Sequence, residues 1–290
     1  MLVYLDGEFI PRSEARISVD DRAFLFGDGV YEVTRAINGR LVDEEAHWRR
    51  LQASMRSVSI QSDRLSREAI LELSLRLLRE NGLLDGEATV YLQVTRGVAP
   101  RAHAFPNPSV QATVYAFTNP FTIPIEQRAN GVAAITTPDI RWARCDIKTV
   151  NLLPNVLAKQ RAVAAGAWEA LLIRDGALTE GALTNVFGVV DGVLQTYPKS
   201  NYILPGITRD VVLDLAREIG IPCREAPISA EELPRVEELF LTGTTTDVQG
   251  IVRLDGVPVG NGKVGVITKA LNEKLVERMA ALVRGPDGSG

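Results

Sequence analysis

The sequence predicts an α+β fold with two domains, each a mainly antiparallel sheet or barrel with helices packed on it. Its 290 residues are more than one minimal domain needs and are sufficient for two. Asp-Gly and Asn-Gly pairs separate short apolar runs at several places, which is typical of β-hairpins. Amphipathic helical patterns accompany these hairpin-rich stretches, and the combination favours α+β domains over a doubly wound parallel sheet.

The N-terminal domain is predicted to cover residues 1–118. Hairpins are expected over residues 2–10 and 30–42, where Asp6-Gly7 and Asn38-Gly39 form the turns. Periodicity predicts these further elements: helices over 43–59, begun by Asp43, and 66–80, ended by Asn81-Gly82, and strands over 88–95 and 110–117. Residues 119–130 contain Pro120 and Pro124, show little periodicity and are predicted to be the interdomain linker.

The C-terminal domain is predicted to span residues 131–284, and a disordered tail is expected over 285–290. It begins with a strand of the buried type over residues 131–137. Its further predicted elements are strands over 170–173, 186–190, 193–196 and 238–242 and helices over 151–165, 208–219 and 264–282.

Composition excludes several classes of protein. With a net charge of −4 and no clustered basic excess, the chain lacks the footprint of nucleic-acid binding. The first residues have no basic stretch followed by a long apolar core, so no secretory signal is expected, and no apolar run is long enough to predict a membrane span. Cys145 and Cys223 are far apart in sequence, which fits a reducing cytoplasm rather than a disulfide framework. Only His47 and His103 are histidines, so no metal centre is expected.

Two residues point most specifically to a chemistry. Lys148 ends the segment 141–148, which is predicted to close a strand before a helix. A neutral lysine amine forms a Schiff base with an aldehyde, and cationic neighbours such as Arg141 and Arg144 lower the pKa of such an amine. Glu180, in a predicted turn, can hold a protonated pyridine nitrogen. Each alone is also explained as an ordinary surface lysine or turn glutamate, but together they are what a pyridoxal phosphate enzyme needs.

Other candidates supply anion contacts. The stretch 205–210 opens a helix after a glycine, and the free N–H groups there suit a phosphate. Thr244 and its neighbours follow a strand end, and Arg50 lies on the helix that Asp43 begins. Arg101 and His103, two residues apart in a loop, can both donate to one carboxylate, and Tyr31 can reach into a pocket. A helix cap, a polar loop, a solvated arginine and a packed tyrosine are the alternative explanations.

Together these segments resemble the class IV aminotransferases, a family of fold-type IV pyridoxal phosphate enzymes, and within it the D-amino-acid (D-alanine) aminotransferases. The stretches that carry the resemblance are residues 21–33, 94–103, 139–160, 179–188 and 206–210. They occur in the family's order and extend over nearly the whole chain.

The resemblance implies a role for each candidate residue. Of the two catalytic residues, Lys148 would form the Schiff base and move the Cα proton, and Glu180 would face the pyridine nitrogen. The other implied cofactor-binding residues are Arg50, Leu204, Ile207, Thr208 and Thr244. The implied substrate-binding residues are Tyr31, Arg101 and His103, with Glu32 and Arg141 in support. The family is dimeric, so a homodimer is expected in which Arg101 and His103 act across the interface.

The implied activity is ping-pong transamination of D-amino acids, with a donor of the D-alanine type and 2-oxoglutarate or pyruvate as acceptor. A branched-chain L-amino-acid aminotransferase and an aminodeoxychorismate lyase are alternatives within the family. The Arg101–His103 pair argues against the first, and Tyr31 together with the Arg101–His103 loop distinguishes the second. A non-catalytic binding module is an alternative that Lys148 and Glu180 argue against.

The chain departs from the family at several positions that bear on cofactor affinity and substrate range. Ala182, Leu183 and Thr184 stand where small serines are usual. Gly243 stands where a serine is common, and Pro154-Asn155 also differs from the smaller residues expected there.

Overall fold

The computed structural model describes residues 1–284, so the tail predicted over 285–290 lies outside the described residues. The chain forms two compact units. Unit 1 consists of Met1–Thr122 and Ile147–Asn151, and unit 2 consists of Ile123–Asp146 and the described residues from Leu152 onward. Lys148 therefore belongs to unit 1, although unit 2 surrounds it in sequence. The domain limits that the sequence predicts, residues 1–118 and 131–284 with a linker over 119–130, remain a prediction.

Unit 1 contains one antiparallel sheet with three helices among its described residues. Its elements are β1 (Leu2–Leu5), β2 (Glu8–Pro11), α1 (Arg22–Phe26), β3 (Gly29–Ile37), β4 (Arg40–Leu41), α2 (Glu44–Ser57), α3 (Arg67–Glu80), β5 (Glu87–Thr95) and β6 (Val114–Pro120). The strand order is β2-β1-β6-β5-β3-β4. Both predicted hairpins are confirmed, and Asp6 and Asn38 adopt the left-handed conformation that their tight turns require.

The two faces of this sheet differ because side chains alternate along each strand. One face carries Val30, Leu92 and Val94, which pack in a core cluster with Leu51 of α2 and Leu77 of α3. Burial of each large apolar side chain in such a core contributes roughly 1.5–3 kcal/mol.

The other face of the sheet carries a row of half-buried aromatic rings. Tyr31 stacks on Tyr91 with ring centroids 5.5 Å apart, and Tyr91 stacks on Phe117 at 4.8 Å. These rings come from β3, β5 and β6, so the row crosses three neighbouring strands.

The helix starts of unit 1 differ in how they are capped. Ser66 accepts a hydrogen bond from the backbone N–H of Ala69 at 3.1 Å, which caps α3. Asp43 precedes α2 as predicted, but its side chain makes no cap hydrogen bond because its backbone is left-handed. The five-residue helix α1 was not predicted, since it is shorter than the window in which helical periodicity is visible.

Several predicted boundaries differ from the structure. Strand β6 begins at Val114 rather than residue 110. The predicted linker over 119–130 contains the end of β6 and, in unit 2, the helix α4 (Ile125–Asn130). Lys148 was predicted at a strand end, which is wrong, because no strand covers residues 139–152. Glu180 was predicted in a turn and instead lies in a strand (Ala177–Gly181), since its neighbour Gly181 gave a false turn signal.

Unit 2 contains a mixed sheet. After α4 its elements are β7 (Val132–Pro138), α5 (Leu153–Ala164), β8 (Glu169–Arg174), β9 (Ala177–Gly181), β10 (Asn185–Val190), β11 (Val193–Thr196), α6 (Ile207–Glu218), β12 (Cys223–Glu225), β13 (Ile228–Ser229), a 3₁₀ turn (Leu233–Arg235), β14 (Glu238–Gly243), β15 (Asp247–Leu254), β16 (Val257–Pro258) and α7 (Val266–Arg284). The strand order is β12-β11-β10-β14-β15-β7-β8-β9-β13, with β16 paired to β15. Three pairs are parallel: β7 with β8, β7 with β15, and β11 with β12.

The core of unit 2 lies on both faces of this sheet. Leu171, Leu239 and Ile251 pack in one buried cluster. Phe187 and Phe240 face each other across β10 and β14 and stack with centroids 5.0 Å apart. The described helices include none that is long and apolar enough to cross a membrane.

Candidate active site

The predicted site residues divide between the two units. Unit 1 carries Tyr31, Glu32, Arg50, Arg101, His103 and Lys148. Unit 2 carries Arg141, Glu180, Leu204, Ile207, Thr208 and Thr244.

Lys148 lies in an irregular segment that is fastened to the start of β3. Its carbonyl accepts a hydrogen bond from the backbone N–H of Tyr31 at 3.0 Å, and the N–H of Val150 donates to the carbonyl of Gly29 at 3.0 Å. A Cβ atom at Gly29 would lie 3.1 Å from the carbonyl oxygen of Val94 on β5 and 3.4 Å from Cγ2 of Val150, so glycine leaves room for both neighbours. The backbone of Lys148 is therefore fixed while its side chain stays half-buried.

The amine of Lys148 faces an aromatic ring. Its Nζ lies 4.2 Å from the ring centroid of Tyr31, where the negative face of the ring attracts a cation. This contact places the amine nitrogen at one end of the aromatic row. The resemblance to the family implied that Tyr31 and Lys148 belong to one site. Both lie in unit 1 and are in contact there.

Glu32 and Arg50 form a buried ion pair next to His47. Arg50 donates to the two carboxylate oxygens of Glu32 from Nε at 3.0 Å and from Nη2 at 2.6 Å. The Nδ1 of His47 lies 3.0 Å from Oε1 of Glu32. Burial by itself would raise the pKa of Glu32, but Arg50 and His47 together hold it well below its ordinary range. His47 had no predicted role.

Arg101 and His103 are exposed, and both lie against the ring of Phe26. The guanidinium of Arg101 is 5.1 Å from the centroid of that ring, and the imidazole of His103 is 5.4 Å from it. The two side chains predicted to bind a carboxylate therefore share one face of their loop.

Glu180 is buried in β9 and surrounded by donors. Its Oε2 accepts from Nδ2 of Asn185 at 2.9 Å and from the backbone N–H of Leu204 at 3.0 Å, and Arg141 donates to its Oε1. Burial raises the pKa of Glu180 to about 7, against the opposing effect of Arg141 and the Leu204 N–H. A carboxylate has about four acceptor positions, so three protein donors leave one for a further N–H group.

Arg141 is held in place by a second acidic residue. Asp139 accepts from Nε and Nη2 of Arg141 at 2.9 and 2.8 Å and from Nε of Arg174 at 3.1 Å. Burial by itself would raise the pKa of Asp139, but the two arginines keep it low. The predicted neighbour Arg144 pairs instead with Asp146.

Asn185, Asp139 and Arg174 were not assigned roles from the sequence. Asn185 and Asp139 stand inside the segments that carry the resemblance, so their positions were visible but their contacts were not. Arg174 is 35 residues from Asp139, and sequence spacing gives no signal for that pairing.

Of the predicted phosphate contacts, Ile207 and Thr208 lie at the start of α6, whereas Arg50 lies on α2 in unit 1. Gly206 precedes the helix, and no side chain caps it. A methyl group on Gly206 would overlap Oδ1 of Asn185, so the glycine keeps the helix start close to the asparagine that contacts Glu180. Ile207 and Thr208 form the first turn, where N–H groups and the helix dipole favour an anion.

Thr242 adds a second feature to this region. It pairs with Asn185 across β10 and β14, so their side chains share a face of the sheet. Its hydroxyl is buried and has no hydrogen-bond partner in the structure. Thr244, two residues later, lies in the turn between β14 and β15. A buried hydroxyl without a partner costs free energy, which a bound polar group would recover.

These residues fit pyridoxal phosphate. Glu180 retains an acceptor position for a ring nitrogen, the uncapped start of α6 suits a phosphate, and Thr242 is an orphaned donor on the Asn185 face. Leu183, which stands where the family usually has a serine, does not fill the space beside Glu180 and α6, because its side chain is exposed. Its N–H and the Thr184 hydroxyl donate to the buried Glu169.

Comparisons with known proteins agree with these features. The family model described as Amino-transferase class IV matches residues 29–254. D-alanine aminotransferase of Staphylococcus epidermidis is 42% identical over 271 residues, which are 93% of this chain and 95% of that protein. D-alanine aminotransferase of Bacillus licheniformis is 42% identical over 276 residues, 95% of this chain and 96% of that protein.

Solved structures are also similar. A branched-chain amino acid aminotransferase of Escherichia coli superimposes with a TM-score of 0.87 at 26% identity, covering 95% of this chain and 93% of that one. The branched-chain aminotransferase of the thermophilic archaeon Thermoproteus uzoniensis, solved with norvaline, gives a TM-score of 0.87 at 27% identity, covering 99% of this chain and 97% of that one.

Proposed function

Because this chain belongs to the class IV aminotransferases, we propose that it transfers the amino group of D-amino acids, with D-alanine as the type donor, to 2-oxoglutarate or pyruvate. The family predicted from the sequence is confirmed, and so is its fold. Enzymes of this family depend on pyridoxal phosphate, which is the cofactor of this chain.

The observation that carries the proposal is the surroundings of Glu180. When bound, pyridoxal phosphate supplies an aldehyde that bonds to amines and a ring that accepts electrons from the substrate Cα. Glu180 would accept a hydrogen bond from the N–H of that ring, through the acceptor position that its three protein donors leave open. Arg141 and Asn185 keep the carboxylate oriented. Lys148 supplies the amine that binds the cofactor and then moves the proton of the substrate Cα.

The remaining cofactor contacts follow from the same assignment. Ile207 and Thr208 at the start of α6, with Thr244, bind the phosphate, and Leu204 packs on the ring. Arg50 contributes its guanidinium beside Glu32, which fixes the orientation of that side chain through two hydrogen bonds.

Tyr31, Arg101 and His103 bind the substrate carboxylate. Arginine and histidine donors on one face of a loop provide charge and direction for a carboxylate, and the Tyr31 ring lies at the Lys148 amine. A fixed carboxylate would leave only one enantiomer with its Cα–H directed at Lys148.

A homodimer is proposed in which Arg101 and His103 act across the interface. Val19, Phe24 and Val98 expose large apolar surfaces, and Phe24 is 74% exposed. The segments that hold them run side by side, since Asp21 and Val98 form a β-bridge and the N–H of Ala99 donates to the Asp20 carbonyl. Contiguous apolar surface next to functional residues is typical of a subunit interface.

The cytoplasm is the proposed compartment. Cys145 and Cys223 are both free thiols, and reduced cysteines are the rule in that environment.

Branched-chain L-amino acid transamination is the second candidate, because the solved structures that are similar to this chain carry the name of branched-chain aminotransferases. Their identity of 26–27% is lower than the 42% of the D-alanine aminotransferases. None of the relatives and solved structures named above is an aminodeoxychorismate lyase.

The test is a parallel assay of D-alanine, L-leucine and aminodeoxychorismate with the cofactor-loaded protein. D-alanine and L-leucine are scored by loss of the visible absorbance of the bound cofactor in a single half-reaction, and aminodeoxychorismate is scored by release of pyruvate, because a lyase returns the cofactor to its starting form. D-alanine is expected to react with the highest kcat/KM, by a factor of about 100 or more over L-leucine. Faster reaction of L-leucine would replace the first candidate by the second, and a protein that binds no cofactor would support a binding module.

A further inference from the structure

The backbone of the loop that carries Arg101 and His103 converges on one buried guanidinium. Nη1 of Arg22 donates to the carbonyls of Ala102 at 2.6 Å and Ala104 at 3.4 Å, and its Nη2 lies 3.5 Å from the carbonyl of His103. Arg22 is 3% exposed, whereas the loop residues themselves are exposed. Hydrogen bonds from an ionised donor are about twice as strong as neutral ones, so this contact restrains an otherwise free loop.

An acidic residue holds Arg22 from its other side. Oδ2 of Asp28 accepts from Nε of Arg22 at 2.8 Å and from Nε of Arg96 at 2.8 Å. Burial alone would raise the pKa of Asp28, but both arginines lower it, so the residue stays ionised at neutral pH. Arg96 also lies 3.5 Å from the ring centroid of Phe105, at the far end of the same loop. The loop is therefore held at its middle by Arg22 and at its end by Arg96.

The side chains of Arg101 and His103 are held by Phe26, which lies in α1 together with Arg22. The ring of Phe26 contacts Arg101 at 5.1 Å and His103 at 5.4 Å, and it also lies 4.8 Å from the guanidinium of Arg22. One aromatic ring thus supports both side chains that are assigned to the carboxylate and the arginine that holds their backbone.

The local sequence explains why these two residues act together. Oδ1 of Asp21 accepts from the N–H of Ala23 at 2.8 Å and begins α1, and Gly27 ends it in the left-handed conformation with φ of 69°. Arg22 and Phe26 are four residues apart in this single turn, and that spacing places them on one face of a helix. The neighbouring Phe24 points away and is exposed.

We infer that Arg22 and Phe26 of α1 are positioning residues for substrate binding, which hold Arg101 and His103 in the geometry that receives the substrate carboxylate. The inference rests on the proposed carboxylate role of Arg101 and His103. Phe26 acts through the side chains and Arg22 through the backbone. Neither residue contacts substrate in this account.

A positioning role and a merely structural role have different kinetic consequences. A structural defect lowers the amount of folded enzyme and leaves the KM of the folded fraction unchanged. Loss of positioning weakens carboxylate binding equally in the ground and transition states, so KM rises while kcat at saturation changes little. The D/L preference also falls, because the carboxylate no longer fixes which hydrogen is directed at the lysine.

The primary variant is Phe26→Leu in the cofactor-loaded enzyme. It removes the ring from a half-buried position and leaves the Arg22–Asp28–Arg96 contacts intact. Phe9→Leu is the matched control, because Phe9 lies 3.8 Å below the guanidinium of Arg76 elsewhere in unit 1. Phe26→Leu is expected to raise the KM for D-alanine about tenfold, to lower the D/L ratio of kcat/KM, and to keep kcat within about twofold. Phe9→Leu should leave KM unchanged.

A second comparison shows whether Phe26 acts through the two loop side chains. Phe26→Leu is added to an enzyme that already carries Arg101→Ala and His103→Ala. If Phe26 only positions those side chains, the added change should alter KM less than about twofold, since residues acting as a unit are not additive. Arg22→Lys keeps a positive charge but cannot bridge three carbonyls and Asp28, so it should raise KM as Phe26→Leu does.

The outcomes separate this inference from the proposed function. If Arg101→Ala raises the KM for D-alanine but Phe26→Leu and Arg22→Lys do not, the positioning role is wrong and the carboxylate assignment stands. An equal effect of Phe26→Leu with and without the loop side chains would also overturn it. If Arg101→Ala itself leaves KM unchanged, the carboxylate assignment fails and this inference fails with it.

Discussion

Lys148 and Glu180 lie in different units and in different kinds of surroundings. Lys148 is half-buried in an irregular segment, and its amine contacts the face of the Tyr31 ring. Glu180 is buried in β9, where Arg141, Asn185 and Leu204 all donate to its carboxylate. Lys148 is fixed mainly through its backbone and its amine makes one ring contact, whereas the carboxylate oxygens of Glu180 are held directly by hydrogen bonds.

This difference matches the role proposed for each residue. A lysine that forms and releases a covalent bond must change position during the reaction, and loose packing around its amine permits this. A carboxylate that stabilises a ring charge is most effective when it is preorganised, because no reorganisation is then needed at the moment of reaction. The contrast predicts which substitutions affect activity alone and which also affect stability.

The largest expected effect is the loss of activity in Lys148→Ala. Transamination should fall by a factor of about 10⁴ or more, because the only covalent attachment is removed. Thermal unfolding of the cofactor-free protein should change by about 1 kcal/mol or less, since the amine has few fixed contacts. Lys159→Ala is the control, as Lys159 also lies over an aromatic ring, that of Trp168, at 4.3 Å. Full activity in Lys148→Ala would remove the assigned role.

Glu180→Gln should lower both activity and stability. The half-reaction rate is expected to fall by about 10²–10³, and the free energy of unfolding by about 2–4 kcal/mol, because an amide cannot accept all three donors. Stopped-flow half-reactions and thermal unfolding without cofactor measure the two quantities. If Glu180→Gln is as stable as the wild type, the carboxylate of Glu180 is not fixed more strongly than the amine of Lys148, and the proposed difference between them is wrong.

A smaller effect is expected from Gly206→Ala. The added methyl group would displace Oδ1 of Asn185, which disturbs both the Glu180 contact and the start of α6. Cofactor affinity should fall about tenfold to a hundredfold, measured by titration of the cofactor-free protein with pyridoxal phosphate. Gly243→Ala is the control, because its nearest contact would be the Thr246 hydroxyl at 3.3 Å. Equal losses of cofactor affinity in Gly206→Ala and Gly243→Ala would argue against phosphate binding at the start of α6.

The smallest expected effects are the changes with pH in the contributions of Glu180 and Glu32 to stability. The two contributions change in opposite directions. Burial raises the pKa of Glu180 from 4.5 to about 7, so the pH-dependent part of its contribution to stability is fully present below pH 4.5 and is lost as the pH rises through 7. The pKa of Glu32 is lowered by Arg50 and His47 despite burial, so its contribution is present above pH 4.5 and is lost as the pH falls.

These slopes appear as differences between the wild type and the variants Glu180→Gln and Glu32→Gln. The unfolding free energy of the wild type, relative to Glu180→Gln, should decrease between pH 4.5 and 7 by up to about 1.4 kcal/mol per unit. The unfolding free energy of the wild type relative to Glu32→Gln should decrease as the pH is lowered below 4.5. Slopes of the same sign for both residues would show that one of the two environments is misassigned.

The sequence predicts the hairpins and long helices of this chain well, because their signals are local. Asp-Gly and Asn-Gly turns specify the left-handed backbone directly, and α3 begins with its capping serine. Helix α1 was not predicted, since five residues show too little periodicity.

The site residues were predicted as single positions, while their partners were not. The placement of Lys148 in unit 1 depends on hydrogen bonds to β3, which is more than 100 residues earlier in the chain. Asp139 and Arg174 support Arg141, and Arg22 supports the loop that carries Arg101 and His103. These contacts are likewise not specified by sequence spacing.

The central claim is that the amine of Lys148 binds the cofactor covalently. The cofactor-loaded protein is reduced with borohydride, digested and examined by mass spectrometry for a peptide that carries the phosphopyridoxyl group. The account predicts a single modified peptide containing Lys148 and no modified peptide from Lys148→Ala. Modification of another lysine, such as Lys159, or of no peptide at all would contradict it.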